Sequence, residues 1–259
     1  MNKNRLFIPD LHVHTIFSYD GMEQAENYVK KAVTDGNESI GFSEHYDFDC
    51  ALIGNGTPLC NIGAYYTEIL RLREKYSDKI KILFGIEFGY AFDACARYKE
   101  LVEEYRFDYI INSVHLVNGL ECSTAGCWQT DTVREIYAKY LKKVLQSLNA
   151  DYPWQIVGHL GYPFRYALSC QRIDYTDYAE LYDEILQKII EKGKVLEINT
   201  SVKGRSLCLP YIEVLQRYVE LGGKNVSFGS DAHSAERYRE NVEKVQDLIA
   251  KFELNPYRP

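Results

Sequence analysis

Six times along this chain a short apolar run ends on a histidine or a carboxylate and then breaks into a loop. IPDLHVH ends at His12 and His14, SIGFSEH at His45, KILFGIE at Glu87, YIINSVH at His115, QIVGH at His159, and NVSFGSDAH at Asp231 and His233. All six histidines of the protein fall in these positions. Independent core histidines have no reason to choose the same end of successive strands, so the joint arrangement points to a multi-metal site. Each residue taken alone keeps an ordinary structural alternative. His45 or His115 can be a hydrogen-bonded core residue, Glu87 an ion-pair partner, and Asp231 a helix N-cap near Ser234. In the first run, alternate strand residues share a face, so His12 and His14 point the same way and can grip one ion. Asp20 follows at a turn marked by Asp20-Gly21 and alone reads as a turn former.

Between the runs lie segments of helical periodicity or helix-forming composition, at about 22–35, 62–76, 94–105, 131–149, 176–192, 210–222 and 235–252. Strands alternating with helices imply parallel βαβ units in an α/β fold. Ligands from the ends of six strands converge only if those ends ring a common axis, as on a barrel rim. An open sheet would spread them along a line at about 4.8 Å per strand. The expectation is a (β/α)7-like barrel, one repeat short of the usual eight.

The ordered motifs HxHT with a following Asp, then SEH, GIE, SVH, GH and SDAH, resemble those of the PHP (polymerase and histidinol phosphatase) superfamily. DLHVHTIFSYDG, GIEFGY, SVHLVNG, LEINTS and GSDAHS are most similar to its histidinol-phosphatase branch, and the resemblance covers essentially the whole chain. It implies a distorted (β/α)7 barrel with a trinuclear metal site at the C-terminal ends of the strands. Carried over residue by residue, His12, His14, Glu87 and Asp231 would hold the first metal. His115 and His159 would hold the second, with Glu87 as a bridge, and Asp20, His45 and His233 the third. Some relatives have histidine where this chain has Asp20. Imidazole and carboxylate donors suit zinc, iron and manganese alike.

Three divalent ions against three carboxylates leave a centre of about +3, which attracts an anion. The rest of the chain is acidic, with 30 Lys+Arg against 37 Asp+Glu and a net charge of −7. It carries no basic stripe, which argues against nucleic acid and for a small phosphate monoester. The expected chemistry is ester hydrolysis by a metal-bound hydroxide between the two ions that share Glu87. Asp231 or His233 would protonate the leaving group, directly or through water. Arg165 after His159, and Lys203 and Arg205 after LEINTS, are candidates for phosphate contact, with solvated loop charge as the alternative. Glu44 and Asp47, flanking His45, either orient imidazoles or serve as surface polarity.

At 259 residues and 46% hydrophobic, the chain can bury one large core and reads as a single domain over 1–259. No stretch of about 18 apolar residues occurs, and the start MNKNRLFIPD lacks the apolar region of a secretory signal, so a cytoplasmic protein without membrane contact is expected. Seven irregularly spaced cysteines, Cys122 and Cys127 closest among them, fit reduced thiols rather than a disulfide framework. The stretches at about 46–61 and 116–130 read as irregular loops that shape specificity. Most of the 22 tyrosines read as helix packing residues on the barrel exterior, and a tyrosine-rich face offers a homodimer contact. Three functions follow: hydrolysis of L-histidinol phosphate in histidine biosynthesis, hydrolysis of another small phosphoester such as a nucleotide, or a non-catalytic metal-binding scaffold. The presence of competent donors at all nine positions argues against the last.

Overall fold

The computed structural model describes residues 6–48, 59–129, 131–167, 174–202 and 207–259. Lys203 and Arg205 lie outside the described residues, as does most of the stretch expected to form a loop at 46–61. Seven α-helices among the described residues pack outside a parallel sheet: α1 (Ala25–Thr34), α2 (Ile62–Lys75), α3 (Cys95–Glu104), α4 (Val133–Ser147), α5 (Ala179–Glu191), α6 (Ile212–Glu220) and α7 (Val242–Phe252). Each falls inside a segment expected from periodicity. In α1 the buried residues Ala25, Tyr28, Val29 and Ala32 recur at the three- and four-residue spacing of one helical face. Helix α4 starts where Thr132 and Glu135 form a reciprocal capping box, satisfying N–H groups that the first turn cannot.

The strands are β1 (Ser39–Tyr46), β2 (Lys81–Gly89), β3 (Tyr109–Ser113), β4 (Leu116–Val117), β5 (Leu120–Glu121), β6 (Ile156–Val157), β7 (Val195–Asn199), β8 (Asn225–Gly229) and β9 (Asn255–Pro256). Strands β1, β2, β3, β6, β7, β8 and β9 form one seven-stranded sheet in that order, every pair parallel. A helix follows each crossover, so all C-terminal strand ends face the same side. This is a distorted (β/α)7 barrel.

The first ligand-bearing segment is not one of those strands. Residues Asp10 to His14 make only isolated bridges, Asp10 with Phe228 and Val13 with Ala232. They nevertheless close the ring. Gly41 and Ser43 of β1 donate to the carbonyls of Asp10 and Val13 at 2.9 Å each, while Leu11 and His14 donate to Phe228 and Ala232 at 3.0 and 2.9 Å. Asp10 interrupts a regular ladder because its Oδ1 accepts from the N–H groups of His12 and Ser230. The seventh strand is instead β9, near the C-terminus, against the start of β8.

The barrel interior is filled by Leu11, Leu83, Tyr109, Ile111, Ile156 and Val195. Tyr109 reaches across it to donate to the Phe42 carbonyl at 2.9 Å. Gly85 makes room for that ring, since a Cβ there would lie 2.3 Å from the Tyr109 Cζ. Besides Tyr109 on β3, the fully buried tyrosines Tyr28, Tyr65, Tyr98, Tyr137, Tyr140, Tyr182 and Tyr218 all sit on helices. Residues 116–129, expected to be irregular, hold the antiparallel β4–β5 hairpin and a 3-10 turn at Ala125–Gln129. Two-residue strands are too short to register as alternation in a sequence. Cys122 and Cys127 meet behind this hairpin with their Sγ atoms 3.8 Å apart.

Candidate metal centre

Strand parallelism delivers the predicted donors to one end of the barrel. His45 and Glu87 are register partners on β1 and β2, while His115, His159, Asp231 and His233 lie just past the ends of β3, β6 and β8. Glu87 is the hub. Its Oε2 lies 3.1 Å from His12 Nε2, 3.6 Å from His14 Nε2 and 2.8 Å from His45 Nδ1. Its Oε1 lies 3.2 Å from His115 Nε2 and 2.9 Å from His159 Nε2, and accepts from Ser113 Oγ at 2.6 Å.

Asp231 Oδ1 lies 3.3 Å from His14 Nε2 and 3.8 Å from His12 Nε2. At the outer edge Asp20 Oδ2 lies 3.1 Å from His233 Nε2, and Asp20 Oδ1 lies 3.7 Å from His45 Nε2. All nine donors predicted from the sequence are therefore brought into one cluster. They do not fall into three separate sets, because His45 reaches Glu87 as well as Asp20, and donor atoms of His14, His45 and His233 lie within 4.8 Å of one another.

The cluster fits metal ions better than it fits a network of hydrogen bonds. His12 Nε2, His14 Nε2, His45 Nδ1 and Glu87 Oε2 are sealed from solvent and close together, yet point in directions that make no hydrogen bond. Buried polar atoms normally find partners, so several orphans aimed at one another mark a place for a cation. Protonation follows the same logic. Burial opposes the charge on Glu87, but His12, His45 and His115 outweigh it and hold its carboxyl well below the usual range. Burial likewise opposes the charge on Asp231, and Arg165 and His12 hold its carboxyl low. Burial, with His45 and His233 beside it, keeps His14 well below the ordinary imidazole value, and burial lowers His159. Those two present neutral imidazoles, the form that binds metal. For His45 the pull of Glu87 and Asp20 exceeds the burial penalty and lifts its value to about 9.

The donors are held by buried groups behind them. Asp47 Oδ1 lies 2.8 Å from His115 Nδ1, which turns Nε2 toward Glu87 and His159. Of the two roles open to Asp47 from the sequence, the structure selects imidazole orientation. Glu44 takes neither expected role. It is fully buried and accepts from Thr15 N, Thr15 Oγ1 and Ser18 Oγ, so it fixes the loop after His14. Ser18 Oγ in turn lies 3.2 Å from His14 Nδ1.

Sequence reasoning missed Glu197. Its Oε1 lies 2.6 Å from His12 Nδ1 and its Oε2 accepts from His159 N at 2.6 Å. A carboxylate inside the apolar run VLEIN was the available signal. Gly229 is required beside it, because a Cβ there would meet Glu197 Oε1 at 2.1 Å and His12 Cβ at 2.6 Å.

Asp231 has a left-handed backbone, φ 53°, a conformation that costs a non-glycine residue energy and recurs at functional sites. It is not a helix cap, since Ser234 occupies that position before the short turn Ala235–Arg237. Arg165, on the 3-10 turn Tyr162–Arg165 after His159, is buried in the site. Its Nη1 donates to Asp231 Oδ2 at 2.7 Å and its Nη2 to Asn199 Oδ1 at 2.6 Å. It is thus no solvated loop charge.

A barrel of this topology with a histidine and carboxylate cluster on its C-terminal rim defines a class of metal-dependent hydrolase scaffolds. The PHP domain matches residues 10–201, and the chain belongs to the PHP domain family. It is 32% identical over 248 residues to the histidinol-phosphatase of Lactococcus lactis subsp. lactis, covering 93% of this chain and 90% of that one. A Clostridium acetobutylicum protein named "Probable histidinol-phosphatase" is 29% identical over 249 residues, covering 95% of this chain and 94% of that one. The solved structure of the Lactococcus histidinol phosphate phosphatase, complexed with zinc, L-histidinol and phosphate, superposes with a TM-score of 0.87 at 30% identity, covering 96% of this chain and 95% of that one. A structure from Listeria monocytogenes shares the fold with a TM-score of 0.78 at 19% identity, covering 91% of this chain and all but 1% of that one.

Proposed function

We propose that this protein hydrolyses L-histidinol phosphate to L-histidinol and phosphate in a metal-dependent reaction, a step of histidine biosynthesis. The observation that carries the reading is Glu87, whose two oxygens face two sets of buried imidazoles. Similarity over nearly the whole length to a histidinol-phosphatase supports the choice of ester.

In this reading His12, His14, Glu87 and Asp231 hold one divalent ion, Glu87, His115 and His159 a second, and Asp20, His45 and His233 a third. The donors suit zinc, iron and manganese, and the zinc in the Lactococcus structure favours zinc. Such ions supply positive charge against the phosphoryl oxygens and acidify water, most of what ester hydrolysis requires.

The chain's own groups do the rest. Arg165 has a buried Nε–H with no hydrogen-bond partner, and this N–H is its contact for phosphate. The leaving alkoxide would take its proton through a water ordered by Asp231 or His233, whose Oδ1 and Nδ1 lie 3.8 Å apart. Among the described residues no helix is long and apolar enough to cross a membrane.

The test is phosphate release from L-histidinol phosphate by zinc-, iron- or manganese-loaded protein, beside a panel of nucleotides and other phosphomonoesters. The expected result is turnover of histidinol phosphate on the order of 10 s⁻¹, abolished in Glu87→Ala and His12→Ala. Preferential turnover of a nucleotide would reassign the substrate. No turnover with any of the three metals would return the protein to the scaffold alternative.

A further inference from the structure

The metal cage explains how a phosphate is held, but not how a cationic ester is told from a neutral one. One acidic residue beside the site has no part in the cage. Glu121, at the end of β5, receives only neutral donors on its Oε1: the Tyr162 hydroxyl at 2.9 Å and the Ser123 N–H at 3.1 Å. Its Oε2 is shut off from solvent and has no hydrogen-bond partner. Leaving such an oxygen unpaired is costly, and a carboxylate placed this way is poised for a cation.

Position ties Glu121 to the centre. The Tyr162 ring packs against the rings of His159 and His115, with centroids 4.7 and 5.1 Å away, and its hydroxyl end meets Glu121. The carboxylate therefore sits one aromatic ring from two of the proposed ligands. Arg165 covers the same ring, with Cζ 5.2 Å from its centroid. An anion on the metal side and a cation at Glu121 would thus be read across Tyr162. Burial raises the Glu121 carboxyl above its ordinary value, while His115 pulls it down, so a bound cation would recover energy that burial has cost.

We propose that Glu121 is a specificity residue that receives the positively charged amine or imidazole of a phosphomonoester whose phosphate lies at the metal centre. Resting on the function proposed above, this identifies the group that selects a cationic ester. It also gives the β4–β5 hairpin a role, since pairing of Leu116 with Glu121 fixes the carboxylate relative to His115.

The experiment compares zinc-loaded wild type with Glu121→Gln on L-histidinol phosphate, on phosphoethanolamine, which has the amine but no imidazole, and on neutral 4-nitrophenyl phosphate. Glutamine keeps the shape and an acceptor for Tyr162 but removes the charge. For histidinol phosphate kcat/KM should fall roughly 10- to 100-fold, mostly through KM, as expected when a charge-assisted hydrogen bond is lost. Turnover of 4-nitrophenyl phosphate should stay within about twofold, which also reports an intact fold. A parallel fall with phosphoethanolamine assigns the amine; its absence assigns the imidazole. An unchanged preference for histidinol phosphate in Glu121→Gln, or equal losses on the cationic and neutral esters, overturns the inference while leaving the substrate assignment standing. A wild type that cleaves the neutral ester but not histidinol phosphate removes the substrate assignment, and this inference with it.

Discussion

Glu197 and His12 form a buried pair, Oε1 to Nδ1 at 2.6 Å, while the second Glu197 oxygen accepts the backbone N–H of His159. One carboxylate thereby fixes imidazoles that approach opposite oxygens of Glu87. Both contacts need an acceptor, and an amide has only one. Glu197→Gln should therefore set an NH₂ group against either His12 or His159. Metal affinity should drop roughly 10- to 100-fold, as for other groups that orient ligands, with about 1–3 kcal/mol lost from stability. Chelator competition and thermal unfolding measure the two effects, and an unchanged metal affinity would remove Glu197 from the centre.

The same pair makes Gly229 irreplaceable. An added Cβ would overlap Glu197 Oε1 and His12 Cβ, both of them buried. Gly229→Ala should cost about 1–3 kcal/mol and reduce metal content together with activity. Gly36, on the surface with nothing near an added Cβ, is a control for steric effects. Its own positive φ limits the alanine comparison to backbone strain, without effect on the metal site.

Much of this site could be read from the sequence because strand-end histidines and carboxylates leave a local trace. His12, His14, His45, Glu87, His115, His159, Asp231 and His233 each close an apolar run, and parallel strands must present those ends together. The groups behind them leave a weaker trace: Asp47 flanks His45, and Glu197 shows only as a carboxylate inside an apolar run. Glu197 sits inside a strand, and only the three-dimensional register brings it under His12. The helices α1 to α7 were visible because two to four turns give enough residues for a periodicity. The first strand was misread because Asp10 bonds its neighbours' N–H groups and breaks the ladder, and β9 was missed because two residues carry no pattern.

Arg165 links the centre to the barrel wall through Asp231 and Asn199. Lysine can retain the charge but not two divergent hydrogen bonds. Arg165→Lys should lower kcat/KM roughly 10- to 100-fold, and Arg165→Met should lower it further while raising the Asp231 carboxyl pKa. Steady-state kinetics across a phosphomonoester series checks this, and equal activity of Arg165→Lys and wild type would contradict it.

Metal binding should release protons. His45, lifted to about 9, and His12 and His115, both raised, are protonated at neutral pH in the metal-free protein. Ligands must shed those protons, so metal affinity should climb as pH rises toward about 9. Stability of the metal-free protein runs the other way. The folded His45 value exceeds its ordinary 6.5, so its contribution is complete below pH 6.5 and disappears as pH rises through about 9. Zinc titration calorimetry in buffers of different ionisation heat measures the released protons, and heats independent of buffer would contradict the protonation pattern.

Asp47 provides the sharpest separation between orienting a ligand and merely filling space. Its Oδ1 lies where it accepts the Nδ1–H of His115, so that once the ring sheds its second proton to bind metal the lone pair is on Nε2, facing Glu87 and His159. Asparagine can still accept that proton, so Asp47→Asn should retain metal within a few-fold of wild type. Alanine cannot, and the imidazole becomes free to carry its proton on Nε2, the atom required for the metal. Asp47→Ala should then lose roughly 10- to 100-fold in metal affinity, and the loss should concentrate in the ion shared by Glu87, His115 and His159. Metal stoichiometry across a chelator series, read beside activity, distinguishes the two substitutions. If asparagine and alanine fail equally, the charge of Asp47 rather than its accepting oxygen holds His115 in place.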